Sequence, residues 1–279
     1  MSLSHREALA PGRLGVLGWP VFHSRSPAMQ QAAFAALGLR GWSYQHLPVP
    51  PELFVETVQA LAAAGFVGAN VTVPHKHVAL ALADSATPAA RAIGAANTLS
   101  FLPDGTIDVD NTDAPGMLAA MGTPVAGRSA VVLGAGGTAR AATWALREAG
   151  ASVAVWNRSP SRSQALARDL DVTAITRPQA ADLLVNTTTV GMDERMSRDD
   201  VLTTLALDSD LIPRYAQVVD FVYATAPTVL VSAARESGVA TVDGLEILVA
   251  QGALSFARWT GLVAPLGAMR RAAEGGDDV

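Results

Sequence analysis

Short apolar runs alternate with amphipathic stretches along the first hundred residues. Residues 14–17 are uniformly apolar and end at Gly18-Trp19-Pro20, which predicts a buried strand followed by a turn. Ser26-Pro27 pairs a favoured helix cap with proline at the first helical position, so a helix is expected from Ser26 to about Leu37, closed by Gly38. The same reading predicts strands over 42–47 and 68–73, the second stopped by Pro74. It predicts helices over 51–64, ending at Gly65, and over 75–83. Strand and helix in alternation point to an α/β arrangement.

Residues 97–101 and 106–109 flank Pro103-Asp104-Gly105 and read as a hairpin, followed by a helix over 114–121. A second series then begins. Strands are expected over 129–133, 152–156, 183–186, 218–221 and 239–241, and helices over 138–149, 162–170 and 244–260. Residues 274–279 read as a frayed tail. Between the first strand and helix of this series stands Val131-Val132-Leu133-Gly134-Ala135-Gly136-Gly137-Thr138-Ala139-Arg140, a G-x-G-x-x-A pattern. Gly134 suits the tight turn, Gly136 admits a pyrophosphate against the backbone, and small Ala139 lets helix and strand pack closely. The helix N-terminus then offers N–H groups to the phosphates. A glycine-rich turn used only for packing is the plainer alternative.

The end of the next strand discriminates between cofactors. An NAD site places Asp or Glu there for the ribose hydroxyls. This chain has Asn157-Arg158-Ser159 with Arg162 a turn later, so guanidinium groups stand where a 2′-phosphate wants them, and NADP is the expected cofactor. Solvated residues at a helix start would look similar.

Composition narrows the classes. Of 279 residues, 50% are hydrophobic and 16% charged, which suits a globular protein of two modest domains. No apolar run reaches the roughly 18 residues of a membrane span, and Met1 to Gly12 lacks a signal-peptide core. The absence of cysteine excludes disulfides and thiolate metal sites, and no metal is expected. The cytoplasm is the expected compartment. A net charge of −5 gives no reason to expect nucleic acid. Of the 20 basic residues, 19 are Arg and one, Lys76, is Lys. Coding bias explains the arginines, but guanidinium cannot replace an amine that must lose and regain its proton. Lys76 is therefore singled out before any motif is considered.

Further polar groups stand at element ends: Ser24-Arg25-Ser26-Pro27, Asn70-Val71-Thr72-Val73-Pro74-His75-Lys76, Asn97, and Asp110-Asn111-Thr112-Asp113. Alternation puts Asn70 and Thr72 on one strand face with Lys76 at its exit. Each has a structural alternative: Ser26 as a helix cap, and Asp113 as a helix-start charge.

Taken together, these segments resemble the shikimate dehydrogenase family. Gly18 to Pro27, Asn70 to Lys76, Gly94-Ala95-Ala96-Asn97-Thr98, Asp110 to Asp113, Gly134-Ala135-Gly136-Gly137, Asn157-Arg158-Ser159, Asn186-Thr187-Thr188-Thr189-Val190-Gly191-Met192, and Ala250-Gln251 with Trp259-Thr260-Gly261 follow the family order from about residue 14 to 265. The resemblance implies reversible NADPH-dependent reduction of 3-dehydroshikimate to shikimate, a step of aromatic amino acid biosynthesis by way of chorismate. It implies Lys76 and Asp113 as the catalytic pair. Ser24, Ser26, Asn70, Thr72, Asn97, Asp113 and Gln251 would hydrogen-bond the substrate, with Tyr223 lining the same place. Gly134, Ala135, Gly136, Gly137 and Thr138 would cradle the pyrophosphate. Asn157, Arg158, Ser159 and Arg162 would hold the 2′-phosphate, and Thr187, Val222 and Gly244 would lie along the cofactor.

The implied fold is two-domain α/β: an open α/β substrate domain, discontinuous over 1–106 and 245–279, and a Rossmann-type doubly wound parallel sheet over 107–244 that binds NADP. A monomer or homodimer is expected. Two other functions share the motifs: a paralogue acting on quinate or another polyol acid with NAD or NADP, and a non-catalytic NADP-binding regulatory protein. Departures from the family pattern are Met29-Gln30-Gln31 for a His-Asn pair, His77 after the lysine, the shifted proline of Tyr223-Ala224-Thr225-Ala226-Pro227, and Glu246-Ile247 near the nicotinamide. The last bears on substrate choice.

Overall fold

The computed structural model describes residues 10–224 and 226–275. They divide into two compact units. One takes the described residues up to Ala86, Asn97–Asp110 and those from Gly252 onward; the other takes Thr87–Ala96 and Asn111–Gln251. The chain opens with β1 (Arg13–Gly18), α1 (Ser26–Ala36), β2 (Ser43–Pro48), α2 (Phe54–Ala63), β3 (Gly68–Val71), α3 (Lys76–Ala81) and β4 (Ser85–Ala86). It continues with α4 (Pro88–Ile93), β5 (Thr98–Phe101), β6 (Ile107–Asp110) and α5 (Asp113–Met121). The later elements are β7 (Ser129–Leu133), α6 (Gly137–Glu148), β8 (Ser152–Trp156), α7 (Pro160–Asp169), β9 (Thr173–Ala174), β10 (Leu183–Asn186), α8 (Arg198–Thr204), β11 (Gln217–Asp220), α9 (Val229–Glu236), β12 (Ala240–Val242), α10 (Gly244–Thr260) and α11 (Leu266–Glu274).

In the first unit, six strands run in the order β2-β1-β3-β5-β6-β4. β1 is parallel to β2 and β3, while the β5–β6 hairpin pairs antiparallel with β3. β1 and β3 carry Leu14, Val16, Leu17, Ala69 and Val71, all buried, as expected of strands covered on both faces. The C-terminal half of α10 is tied to this sheet. Trp259 Nε1–H donates to the Leu99 carbonyl at 2.9 Å, and the Arg258 guanidinium bridges Asp108 and Asp110 on β6.

In the second unit, all six strands are parallel, in the order β12-β11-β10-β7-β8-β9. The sequence moves outward one way from β7 through β8 to β9, then returns to β10 and goes the other way. That is the doubly wound order, with its switch point between the carboxyl ends of β7 and β10, where such sheets bind ligands. Val132, Val153, Val155, Leu183 and Val219 pack with α5 and α6 side chains on one face, and Val131, Leu133, Leu184 and Val218 with α8 and α9 on the other. The α/β class and the parallel sheet expected from the alternating pattern are thus present.

Several local expectations are corrected. Arg25, not Ser26, occupies the cap position of α1; Ser26 is its first helical residue, and the Ser24 hydroxyl accepts from the Ser26 N–H at 3.3 Å. The expected tail from 274 is in part helical, since Glu274 ends α11 and Gly275 closes it at φ 86°; residues 276–279 lie outside the described residues, as do Thr225 and most of the polar start. Three unforeseen helices had local signals. Thr87 caps α4 by accepting from Ala90 N–H at 3.2 Å, with Pro88 next and Gly94 left-handed at its end. Ser197 caps α8, its hydroxyl accepting from Asp200 N–H at 3.2 Å and donating to the Asp200 carboxylate at 2.6 Å, and Thr228 caps α9. No helix among the described residues is long and apolar enough to cross a membrane.

Candidate active site

In the first unit, the expected groups gather at the carboxyl ends of β1 and β3. Parallel pairing of Leu17 with Val71 sets Gly18 beside Thr72, and Thr72 N–H donates to the Leu17 carbonyl at 2.8 Å. Ser24 and Ser26 follow β1, and the His46 ring meets the Ser24 carbonyl at 2.9 Å. Asn70 is built into a buried network. Its Oδ1 accepts from the Tyr44 hydroxyl at 2.8 Å, and its Nδ2 faces the Asn97 carbonyl, the Thr98 hydroxyl and the Ser255 hydroxyl at 3.1, 3.2 and 2.9 Å. Two amide hydrogens are thus shared among three acceptors. This network joins Asn70 to Asn97, and Tyr44 and Ser255 are members that the sequence did not reveal.

Lys76 opens α3 and is buried, at 8% exposure. Its neighbour His75 fixes that helix start. The His75 ring stacks on Phe54 at 4.3 Å between centroids, its Nε2 lies 2.8 Å from the Val49 carbonyl, and burial holds its pKa below the ordinary value. A neutral imidazole donating from Nε2 satisfies that carbonyl. Gln30, one of the departures, is wholly buried and donates from Nε2 to the Gly252 carbonyl at 2.9 Å.

In the second unit, Asp113 is the first residue of α5, at 6% exposure. The Thr112 hydroxyl donates to Gln251 Oε1 at 3.4 Å, and Gln251 Nε2 donates to Leu248 O at 2.9 Å. A Cβ on Gly116 would lie 2.7 Å from that of Gln251, so α5 and α10 touch backbone to backbone and bring Asp113 and Gln251 into one neighbourhood. Ile247, at 2% exposure, packs in the hydrophobic core of this unit.

The glycine-rich turn fits a dinucleotide. Gly134 has φ 121° and Thr187 stands against the place where its Cβ would be, while nothing lies within 4 Å of a Cβ on Gly136. The open side of Gly136 is the cradle a pyrophosphate needs, and α6 starts with Gly137 and no side-chain cap on its N–H groups. Ala139 is fully buried, as close packing of α6 on β7 requires. Thr187 donates its hydroxyl to the Leu133 carbonyl at 2.6 Å, at the switch point. Beyond β8, Asn157 Nδ2 donates to the Ser159 carbonyl at 3.0 Å, and Arg158 and Arg162 are exposed around the start of α7, which no side chain caps.

Asp220 was not singled out by the sequence, although an acid ending the apolar run of β11 was its signal. It is completely buried. Burial pushes its carboxyl from 3.8 up to about 6, and Asp243 adds to the rise, while hydrogen bonds from Thr228, Val222 and Asn186 oppose it. A raised pKa means that the folded state holds this proton more tightly than the unfolded chain. The resulting stabilisation is complete below about pH 4 and is lost as pH rises through about 6. The stability difference between wild type and Asp220→Asn, measured by denaturant unfolding, is therefore expected to move about 2 kcal/mol in the variant's favour between pH 4 and 7. A pH-independent difference would contradict this.

Comparison with known proteins identifies the family. Residues 16–99 match the shikimate dehydrogenase substrate binding domain, residues 118–204 the shikimate / quinate 5-dehydrogenase family, and residues 244–274 the shikimate 5′-dehydrogenase C-terminal domain. The chain is 43% identical over 274 residues to a shikimate dehydrogenase (NADP(+)) of Methylobacterium radiotolerans, covering 91% of this chain and 93% of that one. It is 45% identical over 277 residues to one from Anaeromyxobacter dehalogenans, covering 93% and 95%. Its fold superposes with a TM-score of 0.85 on a Thermus thermophilus shikimate 5-dehydrogenase solved in complex with NADP(H) and shikimate, at 40% identity over 95% of this chain and 100% of that one. Identity of this order, sustained over nearly the whole length, leaves one assignment: the chain belongs to the shikimate dehydrogenase family.

Proposed function

We propose that this protein reversibly reduces 3-dehydroshikimate to shikimate with NADPH. The observation that carries this reading is the likeness, at 40% identity and a TM-score of 0.85 over 95% of this chain, to an enzyme solved with NADP(H) and shikimate. Residues 1–106 and 245–279 are the proposed substrate-binding part, and residues 107–244 the NADP-binding part. Ser24, Ser26, Asn70, Thr72, Asn97, Tyr223 and Gln251 bind and orient the substrate. Gly134, Ala135, Gly136, Gly137 and Thr138 receive the pyrophosphate, and Asn157, Arg158, Ser159 and Arg162 the 2′-phosphate. Thr187, Val222 and Gly244 lie along the remainder. NADPH, when bound, supplies the hydride that reduces the ketone carbon. Lys76 Nζ gives a proton to the ketone oxygen as charge develops on it and takes the proton back in the reverse direction. Asp113 accepts a hydrogen bond from the same hydroxyl and orients it. The proposed setting is the cytoplasm, with the protein a monomer or homodimer.

The test is absorbance of the reduced cofactor with shikimate or quinate, each with NADP or NAD. The expected result is the highest kcat/KM for shikimate with NADP. Preference for quinate or NAD would reject the substrate or cofactor assignment. Tight nucleotide binding without turnover of any polyol acid would reject the enzyme.

A further inference from the structure

At the carboxyl ends of β10 and β11, buried polar groups bind two loops together. Asp220 Oδ1 accepts from Asn186 Nδ2 at 2.9 Å and from Val222 N–H at 3.0 Å, and Oδ2 accepts from the Thr228 hydroxyl at 2.7 Å. The Thr228 oxygen in turn accepts from Val231 N–H at 3.2 Å, so its single hydrogen is directed to Asp220. Every neighbour in these bonds acts as a donor, which suits an ionised carboxylate, an acceptor at both oxygens. Asn186 organises the loop after β10 at the same time. Its Oδ1 takes the Thr188 N–H and hydroxyl at 3.1 and 2.7 Å, and its Nδ2 also reaches the Val190 carbonyl at 3.3 Å. Phe221 N–H donates to the Asn186 carbonyl at 2.9 Å. A Cβ on Gly244 would fall 2.5 Å from the Val222 carbonyl, so the start of α10 seats on the loop after β11.

A buried carboxylate compensated by neutral donors opposes folding, so its presence calls for a role beyond stability. Its position suggests one. The pyrophosphate cradle lies at β7, and the 2′-phosphate groups lie beyond β8. The far half of a dinucleotide must then extend over the ends of β10 and β11. We propose that Asp220 is a positioning residue that locks the loops following β10 and β11 into one arrangement, presenting Thr187 and Val222 to the nicotinamide half of the cofactor. This rests on the NADP reading above. Asp220 touches neither cofactor nor substrate; it acts through Asn186, Val222 and Thr228.

The experiment titrates wild type, Asp220→Asn, Thr228→Val and Thr228→Ser with NADP and with 2′,5′-ADP, which lacks the nicotinamide half, at pH 7.5. Asp220→Asn and Thr228→Val are expected to weaken NADP by roughly tenfold, the scale of one hydrogen bond to a charged group. Their affinity for 2′,5′-ADP should stay within about twofold, and Thr228→Ser should restore NADP binding. If Asp220→Asn does not fold, the two Thr228 variants carry the comparison. Wild-type NADP affinity in the variants would overturn the proposal, and so would equal weakening of both ligands, which marks general damage to the sheet. Titration needs no turnover. A wild type that binds both nucleotides without oxidising shikimate rejects the enzyme reading and leaves this test standing, whereas one blind to NADP rejects both.

Discussion

Lys76→Ala is expected to lower kcat by about 10²- to 10⁴-fold, the range supplied by a positioned general acid or base, with NADP affinity little changed. The side chain is buried at the first residue of α3. It is also the chain's only amine side chain among 20 basic residues. Lys76→Arg separates charge from chemistry. It keeps the cation, yet guanidinium does not give up its proton in proteins, so activity should stay near that of the alanine variant. NADP titration and the thermal midpoint of each variant identify loss of fold. Full activity in Lys76→Ala, or rescue by Lys76→Arg, would remove Lys76 from the proton path.

The second large effect concerns cofactor choice. Replacing Arg158 and Arg162 together by Ala is expected to weaken NADP by roughly 10²-fold or more, since each bond to a charged phosphate is worth a tenfold or larger factor. NAD, which lacks the 2′-phosphate, should bind the variant about as well as the wild type. Both guanidiniums are exposed at the start of α7, so the substitutions remove little packing. The measured quantity is the ratio of kcat/KM for NADP to that for NAD. A ratio unchanged by the double substitution would mean that other groups read the phosphate. Raised salt should weaken wild-type NADP binding more than that of the variant, because exposed charges are screened.

Much of the parallel sheet was legible from local pattern. The strands over 129–133, 152–156 and 183–186 and the long helix from 244 to 260 appear with those bounds, because unbroken apolar runs and a clean helical period leave little alternative. The glycine turn was equally legible, since a tight turn and a close approach both require the missing side chain. Short elements were not. α4, of six residues, has its cap, proline and terminal glycine in plain view, but so few residues show no full period. β9 has two residues and is a strand only because β8 lies beside it.

The sequence by itself determined the kinds of the longer elements, the dinucleotide turn, the absence of cysteine and the uniqueness of Lys76, because these depend on residues close together in the chain or on counting. Tertiary structure alone decided the strand orders and the second partners. Asn70 meets Ser255 across 185 residues, and Asp220 meets Asn186 across 34. Such bonds depend on which strand ends arrive side by side, a property of the register between strands that no local stretch encodes. That Asn70 is held inside a polar network, and that Asp220 is a buried acid surrounded by donors, followed from those arrivals.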